Sequence, residues 1–268
     1  MFPLPFRLIA RLDIKGEHVV KGMQMEGLRI VGKPADMALN YANQGADELL
    51  YLDIVASLYG RNALEDLVRQ TASEVFIPIT VGGGIRTCED IRRLLRAGAD
   101  KVAINTAAVE RPGFIHEAAE QFGAQAIVVQ VDAKRHEEAG RPWFEVYVNG
   151  GRDPSAWPVP AWLECVVRAG AGEILLTSID CDGMHCGYDV DLLAEILPAQ
   201  LPIPIVVGGG AAKPRHLYMA AVAGADGVAI GSMLHFYNAT IGQLKLALMA
   251  NGIQCRRETY DAAPPEIP

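Results

Sequence analysis

Two segments of this chain occur twice at one fixed spacing. Ile77-Pro78-Ile79-Thr80-Val81-Gly82-Gly83-Gly84-Ile85 returns as Ile203-Pro204-Ile205-Val206-Val207-Gly208-Gly209-Gly210-Ala211. Ala97-Gly98-Ala99-Asp100-Lys101-Val102-Ala103-Ile104 returns as Ala223-Gly224-Ala225-Asp226-Gly227-Val228-Ala229-Ile230, and both copies lie 126 residues after the first. A common offset for two separate segments means two similar halves, about 6–123 and 124–256, and such a period constrains the whole fold. Each half carries a triglycine loop after an apolar run, so the ligand expected is elongated with two similar anionic ends, such as two phosphates.

Short β-branched runs alternate with amphipathic stretches. Strands are predicted near 8–13, 48–53, 77–81, 101–105, 126–132, 173–178, 203–207 and 227–231. Runs such as Ala126-Ile127-Val128-Val129-Gln130-Val131-Asp132 are nearly continuously hydrophobic, which suits a parallel sheet buried on both faces. Helices are predicted near 34–45, 61–74, 87–97, 111–121, 156–170, 189–200, 213–223 and 239–251. In the second of these, Leu64, Leu67, Val68, Thr71 and Ala72 share a face, while Glu65, Asp66 and Arg69 point away. Eight strand-then-helix units in two halves predict a single (β/α)8 TIM barrel over residues 1–256, since a half-repeat closes a ring more naturally than it builds a doubly wound sheet. The stretch Gly140–Arg152, with Asn149-Gly150, reads as an added hairpin after the fifth strand, and the Pro-rich tail 257–268 as disordered.

A net charge of −8 and a pI near 5.3 argue against non-specific binding to nucleic acid or an anionic membrane, and Arg92, Arg93 and Arg96 read as a solvated helix face. Five cysteines without a CxxC pair suit a reduced, cytoplasmic protein. Cys181, His185 and Cys186 have no second ligand pair at zinc-site spacing, so no metal is expected, nor any cofactor. No secretory signal and no span of roughly 18 apolar residues is seen.

In barrels of this class the chemistry sits at the C-terminal ends of the strands. There the predicted strands end on Asp13, Asp53, Asn105 and Asp132, with Asp180 and Asp182 just beyond the sixth. Asp13 and Asp132 correspond by the half-repeat, which puts them on opposite sides of one ring, the geometry of a general acid facing a general base. One must then hold a proton at neutral pH, well above the ordinary aspartate value near 3.9. The alternative is structural: either carboxylate could cap a helix or pair with Lys15, Lys21 or Lys134. Gly83-Gly84 and Gly209-Gly210 let backbone N–H groups approach an anion beside a helix N-terminus. Asn105-Thr106 and Gly231-Ser232, at the ends of the fourth and eighth strands, complete the two expected phosphate sites.

At these residues the chain resembles the cyclase subunit of imidazole glycerol phosphate synthase, from histidine biosynthesis. The likeness runs over roughly residues 6–256 and rests on Leu12-Asp13-Ile14-Lys15, Val20-Lys21-Gly22, Gly45-Ala46-Asp47-Glu48-Leu49, Thr80-Val81-Gly82-Gly83-Gly84-Ile85, Val131-Asp132-Ala133-Lys134-Arg135, Gly170–Ser178 and Asp182-Gly183. It implies addition of ammonia to a bisphosphorylated formimino-ribulosyl aminoimidazole carboxamide ribotide, closing an imidazole ring and splitting off the aminoimidazole ribotide. It implies Asp13 and Asp132 as acid and base, and adds Asp182 and Gly183 to the phosphate sites. A glutaminase subunit is expected at the N-terminal barrel face, delivering ammonia through a charged gate of Arg7, Glu48, Lys101 and Glu173. Those four charges could equally be a stabilising ion-pair ring.

The chain departs from the family pattern where substrate should sit: Arg11 in place of a usual Cys, Gln130 in place of a small apolar residue, Met184, Ala212, and an altered loop Gly22–Leu28. An inward-facing Arg11 would keep Asp13 ionised and assign it the base role. Two further readings stay open: a paralogue delivering ammonia to another acceptor, such as a nucleotide-sugar in surface-polysaccharide synthesis, and a non-catalytic activator of a glutaminase.

Overall fold

The computed structural model describes residues 4–54, 64–236 and 239–256. In chain order the elements are β1 (Arg7–Lys15), β2 (His18–Met23), β3 (Glu26–Gly32), α1 (Pro34–Asn43), β4 (Glu48–Asp53), α2 (Leu64–Glu74), β5 (Ile79–Gly82), α3 (Cys88–Ala97), β6 (Lys101–Ile104), α4 (Thr106–Glu110) and α5 (Gly113–Phe122). They continue as β7 (Ile127–Glu138), β8 (Arg141–Val148), β9 (Asp153–Pro158), α6 (Val159–Arg168), β10 (Glu173–Ser178), α7 (Val190–Ile196), β11 (Ile205–Gly208), α8 (Pro214–Ala223), β12 (Gly227–Ile230), α9 (Ser232–Phe236) and α10 (Ile241–Ala250). Eight parallel strands pair in the order β1, β4, β5, β6, β7, β10, β11, β12, and β12 pairs back with β1. The sheet is therefore a closed ring, the expected (β/α)8 barrel, and β1 lies opposite β7 in it.

The repeat is visible in individual hydrogen bonds. Proline has no N–H to give a neighbouring strand, so β5 and β11 begin just after Pro78 and Pro204, two residues later than predicted. The carbonyls of those prolines accept from Leu49 and Ile174 N–H, both at 2.9 Å. Three Gly-Ala-Asp turns precede barrel strands, and each aspartate accepts an N–H from the first or second residue of a neighbouring strand: Asp47 from Leu8, Asp100 from Ile79 and Asp226 from Ile205, all at 2.8 Å. The fourth turn carries Gly172 instead, where a Cβ would stand 2.1 Å from the Ala124 carbonyl oxygen.

Two apolar layers share the burial. The larger lies between ring and helices and includes Leu8, Tyr51, Phe114 and Trp162. The smaller fills the barrel: Ile9, Leu50, Leu52, Ala103, Val128, Leu175, Val206 and Ala229. On α2 the residues Leu64, Val68 and Thr71 are buried as predicted, and Arg92 and Arg93 make ion pairs with Glu89 and Asp90 along α3. The predicted start of α2 at 61–63 and the tail 257–268 lie outside the described residues.

Three expectations need correction. The added hairpin begins inside the fifth barrel strand, because β7 runs on to Glu138 and turns at Ala139-Gly140; Asn149-Gly150 opens a second turn into β9, which delays α6 to Val159. The segment after β1, read as a loop, is an antiparallel hairpin of β2 and β3, missed because its exposed face breaks the apolar pattern. The predicted helix 111–121 is α5, preceded by the separate short α4.

Candidate active site

Side chains alternate along a strand, so Arg7, Ile9, Arg11 and Asp13 rise in successive layers up the inside of β1, as Val128, Gln130 and Asp132 do on β7. The top layer opens onto one cleft, lined by both Asp13 and Asp132 together with Arg11, Leu52, Asn105, Gln130 and Asp182. The two carboxylates thus face a common space, as the half-repeat led us to expect.

Their surroundings differ sharply. Asp13 accepts from Arg11 Nε at 2.7 Å and from Lys21 Nζ at 2.8 Å. Lys21 also reaches both oxygens of Asp182, at 3.0 and 2.9 Å. Burial by itself would raise the Asp13 carboxyl, but the Arg11 and Lys21 cations outweigh it and hold the group well below the usual carboxylate range. Asp132 has no exposed surface and accepts from neutral amides, Gln130 Nε2 at 2.9 and 3.0 Å and Asn105 Nδ2 at 2.9 Å. Burial dominates there, pushing its carboxyl up to about 6 despite the lowering by Gln130 and Arg11. The structural reading was thus correct for one contact, Asp13 with Lys21, while Lys134 pairs with Asp180 away from the cleft lining.

A recess flanks the cleft on each side. One is lined by Gly83, Gly84, Arg86, Asn105, Thr106 and Asn149, the other by Asp182, Gly183, His185, Gly209, Gly210 and Ser232. Every residue singled out for the two phosphate sites lines one of these spaces, Gly231 included. Glycine is required at their floors. Gly83 has φ of +104°, and a Cβ there would stand 2.2 Å from the Asp53 carbonyl oxygen; its repeat partner Gly209 has φ of +91°, with the Ser178 carbonyl oxygen at 2.7 Å.

Several lining residues escaped the sequence reading. Asn149, at the β8–β9 turn, donates its backbone N–H to Thr106 Oγ1 at 3.0 Å, and Arg152 from the same turn lines the cleft. Arg86 follows the first triglycine. The β2–β3 hairpin, whose Gly22–Leu28 segment the sequence had placed beside the substrate, lies over the mouth: Gln24 N–H donates to the Asp182 carbonyl at 2.6 Å, and Gly151 is so close to Met25 that a Cβ there would stand 2.7 Å from its Sδ. Chain-distant partners of this kind leave no spacing signal.

At the opposite end the first residues of four strands form a closed ring of alternating charge. Arg7 Nη1 lies 2.8 Å from Glu173 and 3.5 Å from Glu48, while Lys101 Nζ lies 2.8 Å from Glu48 and 3.3 Å from Glu173. Thr80 on β5 donates to Glu48 from within the ring. Between this ring and the cleft stand the apolar residues of the inner core. Among the described residues, no group of three or more His, Cys, Asp or Glu is placed to hold a metal ion, and no helix is long and apolar enough to cross a membrane.

Residues 7–240 match the family model described as histidine biosynthesis protein. The chain is 48% identical to the imidazole glycerol phosphate synthase subunit HisF of Myxococcus xanthus over 255 residues, which cover 94% of this chain and 98% of that one. It is 47% identical to the subunit of the same name from Methanocaldococcus jannaschii, over 93% and 98% of the two chains. The counterpart from Methanopyrus kandleri is 46% identical over 94% and 98%. With the barrel closed, the paired carboxylates over one cleft and likeness along nearly the full length of both partners, this chain belongs to the histidine biosynthesis protein family.

Proposed function

We propose that this chain is the ammonia-using cyclase subunit of an imidazole glycerol phosphate synthase. It converts the bisphosphorylated formimino-ribulosyl aminoimidazole carboxamide ribotide to imidazole glycerol phosphate and the aminoimidazole ribotide. The observation that carries the reading is the meeting of Asp13 and Asp132 over one cleft with a glycine-floored recess on either side. A substrate with a phosphate at each end would seat them in the recesses, one on Gly83, Gly84, Asn105 and Thr106, the other on Asp182, Gly183, Gly209, Gly210, Gly231 and Ser232. Its reacting centre would then lie between the carboxyls. Asp13, kept ionised by Arg11 and Lys21, serves as base; Asp132, raised to about 6 so that a minor fraction still carries its proton at neutral pH, serves as acid.

Ammonia enters from a glutaminase subunit docked on the N-terminal face, past Arg7, Glu48, Lys101 and Glu173, and along the apolar barrel interior. That the relatives are named as subunits of a synthase supports a partner chain. The near-half identity to cyclase subunits does not favour the nucleotide-sugar paralogue or the non-catalytic activator. Expression in a histidine auxotroph lacking the cyclase subunit tests the function: growth is expected, and failure to grow with soluble, folded protein refutes it.

A further inference from the structure

Asp13 and Asp132 are equivalent by the chain's own repeat, and two equivalent carboxyls become an acid and a base only if their surroundings differ. The difference lies in the residue two positions earlier on each strand, one layer deeper on the same inner face. On β1 this is Arg11, 4% exposed, with Nε 2.7 Å from Asp13 Oδ1. On β7 it is Gln130, with Nε2 2.9 and 3.0 Å from the two oxygens of Asp132. The pairs match in position and in hydrogen bonding, and differ in charge. Beyond Asp13 the longer cation reaches across the barrel interior, with Arg11 Nη1 3.5 Å from Thr177 Oγ1 on β10.

We propose that Arg11 and Gln130 are positioning residues that make two repeat-equivalent aspartates chemically unequal, so that protons flow from Asp132 to substrate and from substrate to Asp13. This rests on the cyclase reading and deepens it. When the ammonia nitrogen bonds to the substrate carbonyl carbon, the carbonyl π pair moves to oxygen. Asp132 gives its proton to that oxygen and Asp13 takes one from the nitrogen, so the pair exchanges states and the proton count is unchanged. Other charges act on both groups. Lys21 from β2 is divided between Asp13 and Asp182, and Asp182 and Arg11 act on Asp132 as well; His235 from α9 feels the Asp13 charge but burial lowers its imidazole to about 4 and keeps it neutral. Of the two cations bonded to Asp13, Arg11 is the one from its own strand, and Gln130 is its neutral counterpart.

The test is a ¹³C NMR titration of aspartate carboxyls in the full chain, assigned with Asp13→Asn and Asp132→Asn, alongside turnover of the bisphosphorylated ribotide with ammonium chloride. In the wild type Asp132 should titrate close to pH 6, with Asp13 still ionised at the lowest pH at which the protein stays folded. Arg11→Gln should raise the Asp13 titration by a pH unit or more and slow kcat at least tenfold, while Arg11→Lys largely restores both. Gln130→Leu should raise the Asp132 titration and leave Asp13 unchanged, which keeps the test available should Arg11→Gln not fold. Joint titration of the two groups in the wild type, or an Asp13 titration unmoved by Arg11→Gln, overturns the proposal. Unequal titrations without product formation by the wild type overturn the cyclase reading and leave the unequal pair standing.

Discussion

Replacing Asp132 by Asn should make the protein more stable and far less active. Asp132 is fully buried, and burial lifts its carboxyl from the ordinary 3.8 to about 6. A carboxyl raised in the folded state favours folding while protonated and loses that advantage as pH rises through the folded value. At 1.36 kcal/mol per pKa unit, the wild type forgoes about 3 kcal/mol by pH 8 and roughly half of that at pH 5. The amide variant carries no such cost. Asn105 and Gln130 both donate to Oδ2, whose place the amide oxygen of Asn can take, but the amide NH2 then stands where Oδ1 was, 2.9 Å from Gln130 Nε2, so the Gln130 donor must turn away, at about 1 kcal/mol. A net gain of about 1–2 kcal/mol at pH 8 is expected, shrinking towards pH 5, with turnover reduced by roughly 10²–10⁴-fold. Urea unfolding of both proteins from pH 5 to 8, with ammonia-dependent turnover measured on the same samples, reads both effects. Equal or lower stability of the variant at pH 8, or a gain that does not change with pH, would refute the burial argument.

Asp13→Asn should also lose roughly 10²–10⁴-fold in ammonia-dependent turnover with the fold intact by circular dichroism; a loss below threefold removes Asp13 from the reaction. Lys101→Gln breaks the alternation of the charged ring, so glutamine-dependent turnover with the partner subunit should fall severalfold while turnover with added ammonium salt stays within twofold. Lys245 is 1% exposed and donates to Asp47 at 2.6 Å; Lys245→Met leaves that carboxylate buried and unpaired, and urea unfolding should show a loss of about 3–5 kcal/mol. Gly209→Ala forces a Cβ to 2.7 Å from the Ser178 carbonyl oxygen at a left-handed backbone, so KM for the bisphosphorylated substrate should rise at least tenfold, with no comparable rise for Gly252→Ala, equally left-handed but away from the cleft and with nothing within 4 Å of its Cβ.

What could be read from the chain is what local chemistry determines. The 126-residue offset and the doubly apolar strands specify a ring of eight, because backbone pairing and side-chain alternation act over a few residues. The ring in turn places Asp13 opposite Asp132. The hairpins over the mouth were partly legible: Asn149-Gly150 marks a turn, but only the register of β7 with β8 shows that the barrel strand itself continues into the hairpin. The sequence by itself determined that two carboxyls would meet beneath two glycine loops. Arg11, two residues before Asp13, already marked an inequality; only the tertiary structure turned it inward and added the rest: Lys21 bridges Asp13 to a residue 161 positions beyond the lysine, and Asp132 is sealed from water among neutral amides. The protonation of a group depends on every charge and solvent molecule around it in space, and that neighbourhood is assembled only when the ring closes.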